Sequence, residues 1–124
     1  MAITPESEIV AGIGNDYKYG FHDEENYVFK SERGLSADVV RAISERKAER
    51  PEGSYVVSLL DAGVARCAQK VGEEAVETGL AAVSGDREAL VSEAADLVFH
   101  LYVLLAAAEV DVADVEDELA RRAH

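Results

Sequence analysis

Tryptophan is absent from this 124-residue chain, cysteine and methionine occur once each, and proline occurs twice. With only three phenylalanines and five tyrosines, the core has to be filled by alanine, valine and leucine. The lone Cys67 excludes an internal disulfide and reads as a small core residue rather than a reactive thiol. No positively charged segment leads into an apolar signal region, and no apolar run looks long enough to span a bilayer. The expectation is a cytoplasmic protein with no membrane partner. Bases are also scarce. Twelve Lys and Arg face 25 Asp and Glu, for a net charge of −13, which argues against nucleic acid as a partner. A magnesium nucleotide stays compatible, because the metal offsets phosphate charge.

What is present is helical periodicity. The length fits one domain with at most a small appendage. Residues 1–35 hold Gly12, Gly14, Gly20 and Gly34 and the aromatics Tyr17, Tyr19, Phe21, Tyr27 and Phe29. No helical period fits them, so an irregular extension is expected. From Ser36 onward an all-α domain over 36–124 is expected. Ser36 reads as an N-cap, with Val39, Val40 and Ile43 as an apolar face, and the helix should stop before Pro51. A short helix is expected around Val56–Ala62, ended by Gly63. A long one should run from about Val64 to Ser84, stopped by Gly85. Asp86 should cap the next, from about Arg87 to Glu109, and Asp111 a last helix carrying Val112, Val115 and Leu119. The long helix bears a stripe of small residues, Ala68, Gly72, Ala75, Gly79 and Ala82. It fits either tight intramolecular packing or a subunit interface.

Two acidic motifs carry the chemistry. Glu74-Ala75-Val76-Glu77 and Glu93-Ala94-Ala95-Asp96 each place two carboxylates three residues apart, on one helical face. Around the helix of Glu93, an apolar arc (Leu90, Ala94, Leu97, Val98, Leu101, Leu104, Leu105) lies beside an edge of Glu93, Asp96 and His100. On the preceding helix, Arg66, Lys70, Glu73, Glu74 and Glu77 share an edge. In an antiparallel helical hairpin these edges would face each other around a greasy core. Four converging carboxylates are costly unless a divalent cation joins them, and hard oxygen donors suit Mg²⁺ or Mn²⁺. Metal–phosphate chemistry follows, with Lys70 either touching phosphate or offsetting its acidic neighbours. His100 reads as structural first and as a substrate contact second.

The wider text resembles a known family. Pro51-Glu52-Gly53-Ser54-Tyr55, then Gln69-Lys70-Val71-Gly72-Glu73-Glu74-Ala75-Val76-Glu77-Thr78, then Glu93-Ala94-Ala95-Asp96-Leu97-Val98-Phe99-His100-Leu101 are similar to phosphoribosyl-ATP pyrophosphohydrolases, members of the MazG-like all-α superfamily. The resemblance runs from about Ile43 to Arg121. It implies hydrolysis of phosphoribosyl-ATP to phosphoribosyl-AMP and pyrophosphate in histidine biosynthesis, Mg²⁺ dependence and a homodimeric helical bundle. By position it makes Glu74, Glu77, Glu93 and Asp96 metal ligands. Glu73, Glu74 and Lys70 become the catalytic set, with Glu73 helping to hold metal or water. Lys70, Ser54, Tyr55, Lys47, Arg66 and His100 are the candidates for substrate contact. A general nucleoside-triphosphate pyrophosphatase of the same superfamily is the nearest alternative.

The N-terminal third reads differently. Tyr17-Lys18-Tyr19-Gly20-Phe21-His22-Asp23, Phe29-Lys30-Ser31-Glu32-Arg33-Gly34-Leu35-Ser36 and Val39-Val40-Arg41 with Ile43-Ser44 resemble the beginning of SufB-type iron–sulfur assembly scaffolds. That resemblance implies a mosaic, and an alternative role as a dimeric, non-catalytic interaction module. One cysteine does not supply the thiolate set of a cluster.

Overall fold

The computed structural model describes residues 35–123. Five helices and no strand occur among these residues: α1 (Leu35–Glu49), α2 (Tyr55–Ala62), α3 (Val64–Ser84), α4 (Arg87–Ala107) and α5 (Val112–Arg122). The all-α expectation is met. The irregular extension expected over 1–35 lies almost wholly outside the described residues. The chain divides into two compact units, Met1–Ser58 and Leu59–His124.

In the first unit, α1 carries Asp38 in its first turn and Arg46 and Lys47 in its last, each sign matched to the helix dipole. Asp38 also accepts from Arg41 at 2.6 Å. The helix opens at Leu35, so Ser36 stands inside the first turn rather than at the cap. It ends where expected. Arg50 takes a left-handed φ of 52° just before Pro51, whose ring disfavours helical backbone in its predecessor. Gly53, with φ 80°, completes the turn. Ser54 then caps α2, its Oγ accepting from the Val57 amide at 3.2 Å. Ile43 and Val56 are almost fully buried.

In the second unit, Gly63 (φ 98°) separates α2 from α3. Its amide donates to Leu59 and Leu60 carbonyls, at 3.1 and 3.2 Å. The α3–α4 link is Gly85-Asp86. Gly85 is left-handed, with φ 78°, and its amide bonds the Ala82 carbonyl. Asp86 caps α4 by accepting from the Ala89 amide at 3.0 Å. So short a link returns the chain directly, and α3 and α4 pack along their length as an antiparallel hairpin. Its buried side chains are Cys67, Glu74 and Ala81 on α3 and Phe99, His100 and Val103 on α4. Fully burying an aliphatic or aromatic side chain contributes roughly 1.5–3 kcal/mol. Asp111 caps α5, accepting from Ala113; α5 buries no residue.

Two expectations are corrected here. The apolar arc of α4 is only partly covered: Leu90, Ala94, Leu97, Leu104 and Leu105 are half-buried, while Val98 is 43% and Leu101 38% exposed. The fully buried side chains are Phe99, His100 and Val103, next to Asp96: the acidic edges face each other as expected, and it is the arc that is left half-covered. The second concerns the bilayer-length run. By length and composition α4 is long and apolar enough to cross a membrane. The same outward valines and leucines raise its hydropathy. Glu93, Asp96 and His100, meanwhile, lie on its half-buried or buried side.

Candidate metal centre

The hairpin brings three of the expected ligands together. One carboxylate oxygen from each of Glu74, Glu77 and Glu93 lies within 4.8 Å of the others. The two on α3 are one turn apart, and the tight Gly85-Asp86 link sets the register that puts Glu93 opposite them. Glu74 is buried at 5% exposure, Glu93 is half-buried and Glu77 is exposed. Glu74 Oε2 and Glu93 Oε2 are buried and accept no hydrogen bond, although both residues take part in other interactions. Asp96, half-buried one turn beyond Glu93, is not in this trio. Its backbone carbonyl accepts from His100 Nδ1 at 2.7 Å. A carbonyl only accepts, so the proton sits on Nδ1. His100 itself is 1% exposed, with its ring edge-on to Phe99.

Charge around the trio is organised along α3. Lys70 Nζ lies 3.6 Å from Glu74 Oε1 and 3.5 Å from Glu73 Oε1. Glu73 is further held by Gln69 Nε2, which donates to its Oε2 at 3.0 Å, and by Arg66 at 3.9 Å. Thr78 donates its hydroxyl to the Glu74 carbonyl at 2.6 Å. Sequence reasoning missed roles for Gln69 and Thr78, yet both sit at the i, i+4 spacing that lets helical residues meet. Lys47, Ser54 and Tyr55 belong to the first unit. Lys47 is half-buried in the last turn of α1, Ser54 is buried at the start of α2, and Tyr55 is half-buried as its first residue.

Two like charges about 5 Å apart repel by on the order of 3 kcal/mol at an effective dielectric of 20. Three such carboxylates therefore favour cationic company. The donors are all anionic oxygens, a set suited to a hard divalent ion rather than a soft one.

Comparison with known proteins narrows the chemistry. The family described as Phosphoribosyl-ATP pyrophosphohydrolase matches residues 36–123. A protein named Phosphoribosyl-ATP pyrophosphatase from Azorhizobium caulinodans is 52% identical over 91 residues, covering 73% of this chain and 84% of the relative. One of the same name from Novosphingobium aromaticivorans is 58% identical over 88 residues, covering 71% of this chain and 82% of the relative. Another, from Zymomonas mobilis, is 54% identical over 86 residues, with 69% and 80% covered. The chain belongs to the phosphoribosyl-ATP pyrophosphohydrolase family.

The phosphoribosyl-ATP pyrophosphohydrolase match begins at residue 36, earlier than the Ile43 expected from motifs alone. It takes in Val39-Val40-Arg41, which the chain read alone likened to the SufB-type scaffolds. All eleven expected site residues fall within it. The SufB-like text of residues 17–34 lies outside both the family match and the described residues.

Proposed function

We propose that this protein hydrolyses the α–β phosphoanhydride of phosphoribosyl-ATP, releasing pyrophosphate and phosphoribosyl-AMP, the second step of histidine biosynthesis. The observation that carries this is the convergence of Glu74, Glu77 and Glu93 across the α3–α4 hairpin in a chain of this family. We further propose that these three, with Asp96, hold Mg²⁺, or Mn²⁺ in its place. When bound, the ion would stabilise charge on the phosphate oxygens and on departing pyrophosphate.

The chain's own groups have distinct roles in this reading. Glu74, buried and fixed on α3, keeps one oxygen aimed into the trio. Glu73 is exposed, steadied by Gln69 and Arg66, and is suited to orient the attacking water. Lys70 supplies a mobile positive charge beside the phosphates. The packed His100 fixes the backbone at Asp96. Lys47, Ser54 and Tyr55 remain proposed substrate contacts by family resemblance.

A homodimer belongs to the same proposal. Val76, Leu80 and Val83 on α3 are 63%, 65% and 88% exposed. A Cβ added at Gly72 or Gly79 would meet nothing within 4 Å, so among the described residues the small-residue stripe has no intramolecular packing to explain it. An apolar face of this kind suits a second subunit.

The deciding assay is pyrophosphate release from phosphoribosyl-ATP with and without Mg²⁺. Turnover that needs the ion is expected; turnover undiminished by chelation would remove the metal from the mechanism. A panel of free nucleoside triphosphates tests the general pyrophosphatase reading, which predicts preference for them. The SufB-like segment carries a separate proposal, docking to an iron–sulfur assembly partner. Deleting residues 1–34 would then abolish capture of that partner and leave catalysis unchanged.

A further inference from the structure

The position of Lys70 bears on how the acidic centre is kept charge-balanced. Its side chain is only 11% exposed and points between two carboxylates, Glu74 in the trio and Glu73 outside it. Glu74 has a side chain 7% exposed, so solvent screens this pair far less than a surface pair. Glu73, at 44% exposure, has contacts to Gln69 and Arg66 that do not involve Lys70. Within 4 Å of the lysine ammonium thus lie Glu74, shared with the metal centre, and Glu73, outside it.

We propose that Lys70 is the built-in counter-ion of the centre and competes with the divalent cation for Glu74. It bridges Glu74 and Glu73 in the metal-free protein and gives up Glu74 when the ion enters. Metal entry is thereby coupled to the release of the Lys70 ammonium from Glu74, leaving it on Glu73 and able to meet the phosphates. The inference rests on the metal reading above and deepens it.

The sign of its effect sets it apart from a structural lysine. Loss of a structural support would loosen Glu74 and weaken metal binding. Loss of a competing cation raises the negative potential of the trio and tightens it. The test is Mn²⁺ binding to the full chain, followed by paramagnetic resonance of the free ion and by calorimetry. Wild type, Lys70→Met and Lys70→Arg are compared, each first checked for native helix content by circular dichroism.

The expected result is a Kd for Mn²⁺ lowered about threefold or more in K70M, the scale of one partly buried ion pair. K70R, which keeps the charge, should stay near wild type. The melting temperature of metal-free K70M should fall below that of metal-free wild type, and saturating Mn²⁺ should narrow the gap. An unchanged or raised Kd in K70M overturns the competition while leaving the metal site standing. Absence of Mn²⁺ binding in the wild type overturns both. Should K70M fail the helix-content check, Lys70→Gln, closer in length and polarity, takes its place under the same criteria.

Discussion

At the residue scale, the decisive group is Glu93, because it alone brings the α4 side of the hairpin into the three-carboxylate cluster. Glu93→Gln keeps the shape and removes the charge. Phosphoribosyl-ATP turnover should fall on the order of 100-fold or more, with helix content by circular dichroism unchanged. Activity near wild type would show that the cluster is not the reacting centre. Cys67 illustrates the opposite outcome. It is 1% exposed and its thiol donates to the Leu59 carbonyl at 3.3 Å. Burial pushes the thiol pKa up, opposed by the positive charge of Arg66. A thiol kept protonated in this way is a packing residue, as its isolation in the sequence suggested.

At the element scale, caps and breakers were legible because they act locally. Gly85, Asp86 and Asp111 stand where a reader of the chain puts them, since a left-handed turn or an amide-accepting carboxylate needs only its neighbours. The last helix adds a pH-dependent device of its own. Glu118 bonds Arg121 and Arg122, and Arg121 first, then Arg122, lowers its carboxyl pKa below the ordinary value. A carboxylate depressed in the folded state contributes stability above its unfolded-state pKa. That contribution is lost as pH falls through the folded-state pKa. Glu118→Gln should therefore lower the melting temperature slightly at neutral pH. The difference should vanish below the carboxylate range, and added salt should shrink it at neutral pH. A pH-independent difference would point to helix propensity instead.

At the scale of the whole molecule, the hairpin buries two ionisable side chains beside Phe99 and Val103 and leaves several large apolar ones outside. Glu74 and His100 are buried while Leu80, Val83 and Val91 are exposed, an inversion that fits a subunit in an assembly. Leu80→Glu places a charge in the middle of the exposed α3 face. Sedimentation should then show a dimer for the wild type and a monomer for the variant, at unchanged helix content. An unchanged mass would place the interface elsewhere.

The helix boundaries, the all-α class and the two acidic motifs follow from the chain read alone, because caps, glycine stops and i, i+3 spacing are short-range properties. So does the expectation that the acidic edges of α3 and α4 face each other; how little of the apolar arc is covered does not. The hydropathy of the helix favours burying Val98 and Leu101, yet the Gly85-Asp86 link and the packing of Phe99, His100 and Val103 leave both exposed. Only that tertiary register joins Glu93 to Glu74 and Glu77 and leaves Asp96 outside the trio. Lys70 meets Glu73 and Glu74 within α3 itself, at i, i+3 and i, i+4; the register adds only the centre that its charge faces. Periodicity places a side chain on a face of its own helix; only contact with the second helix fixes what that face meets.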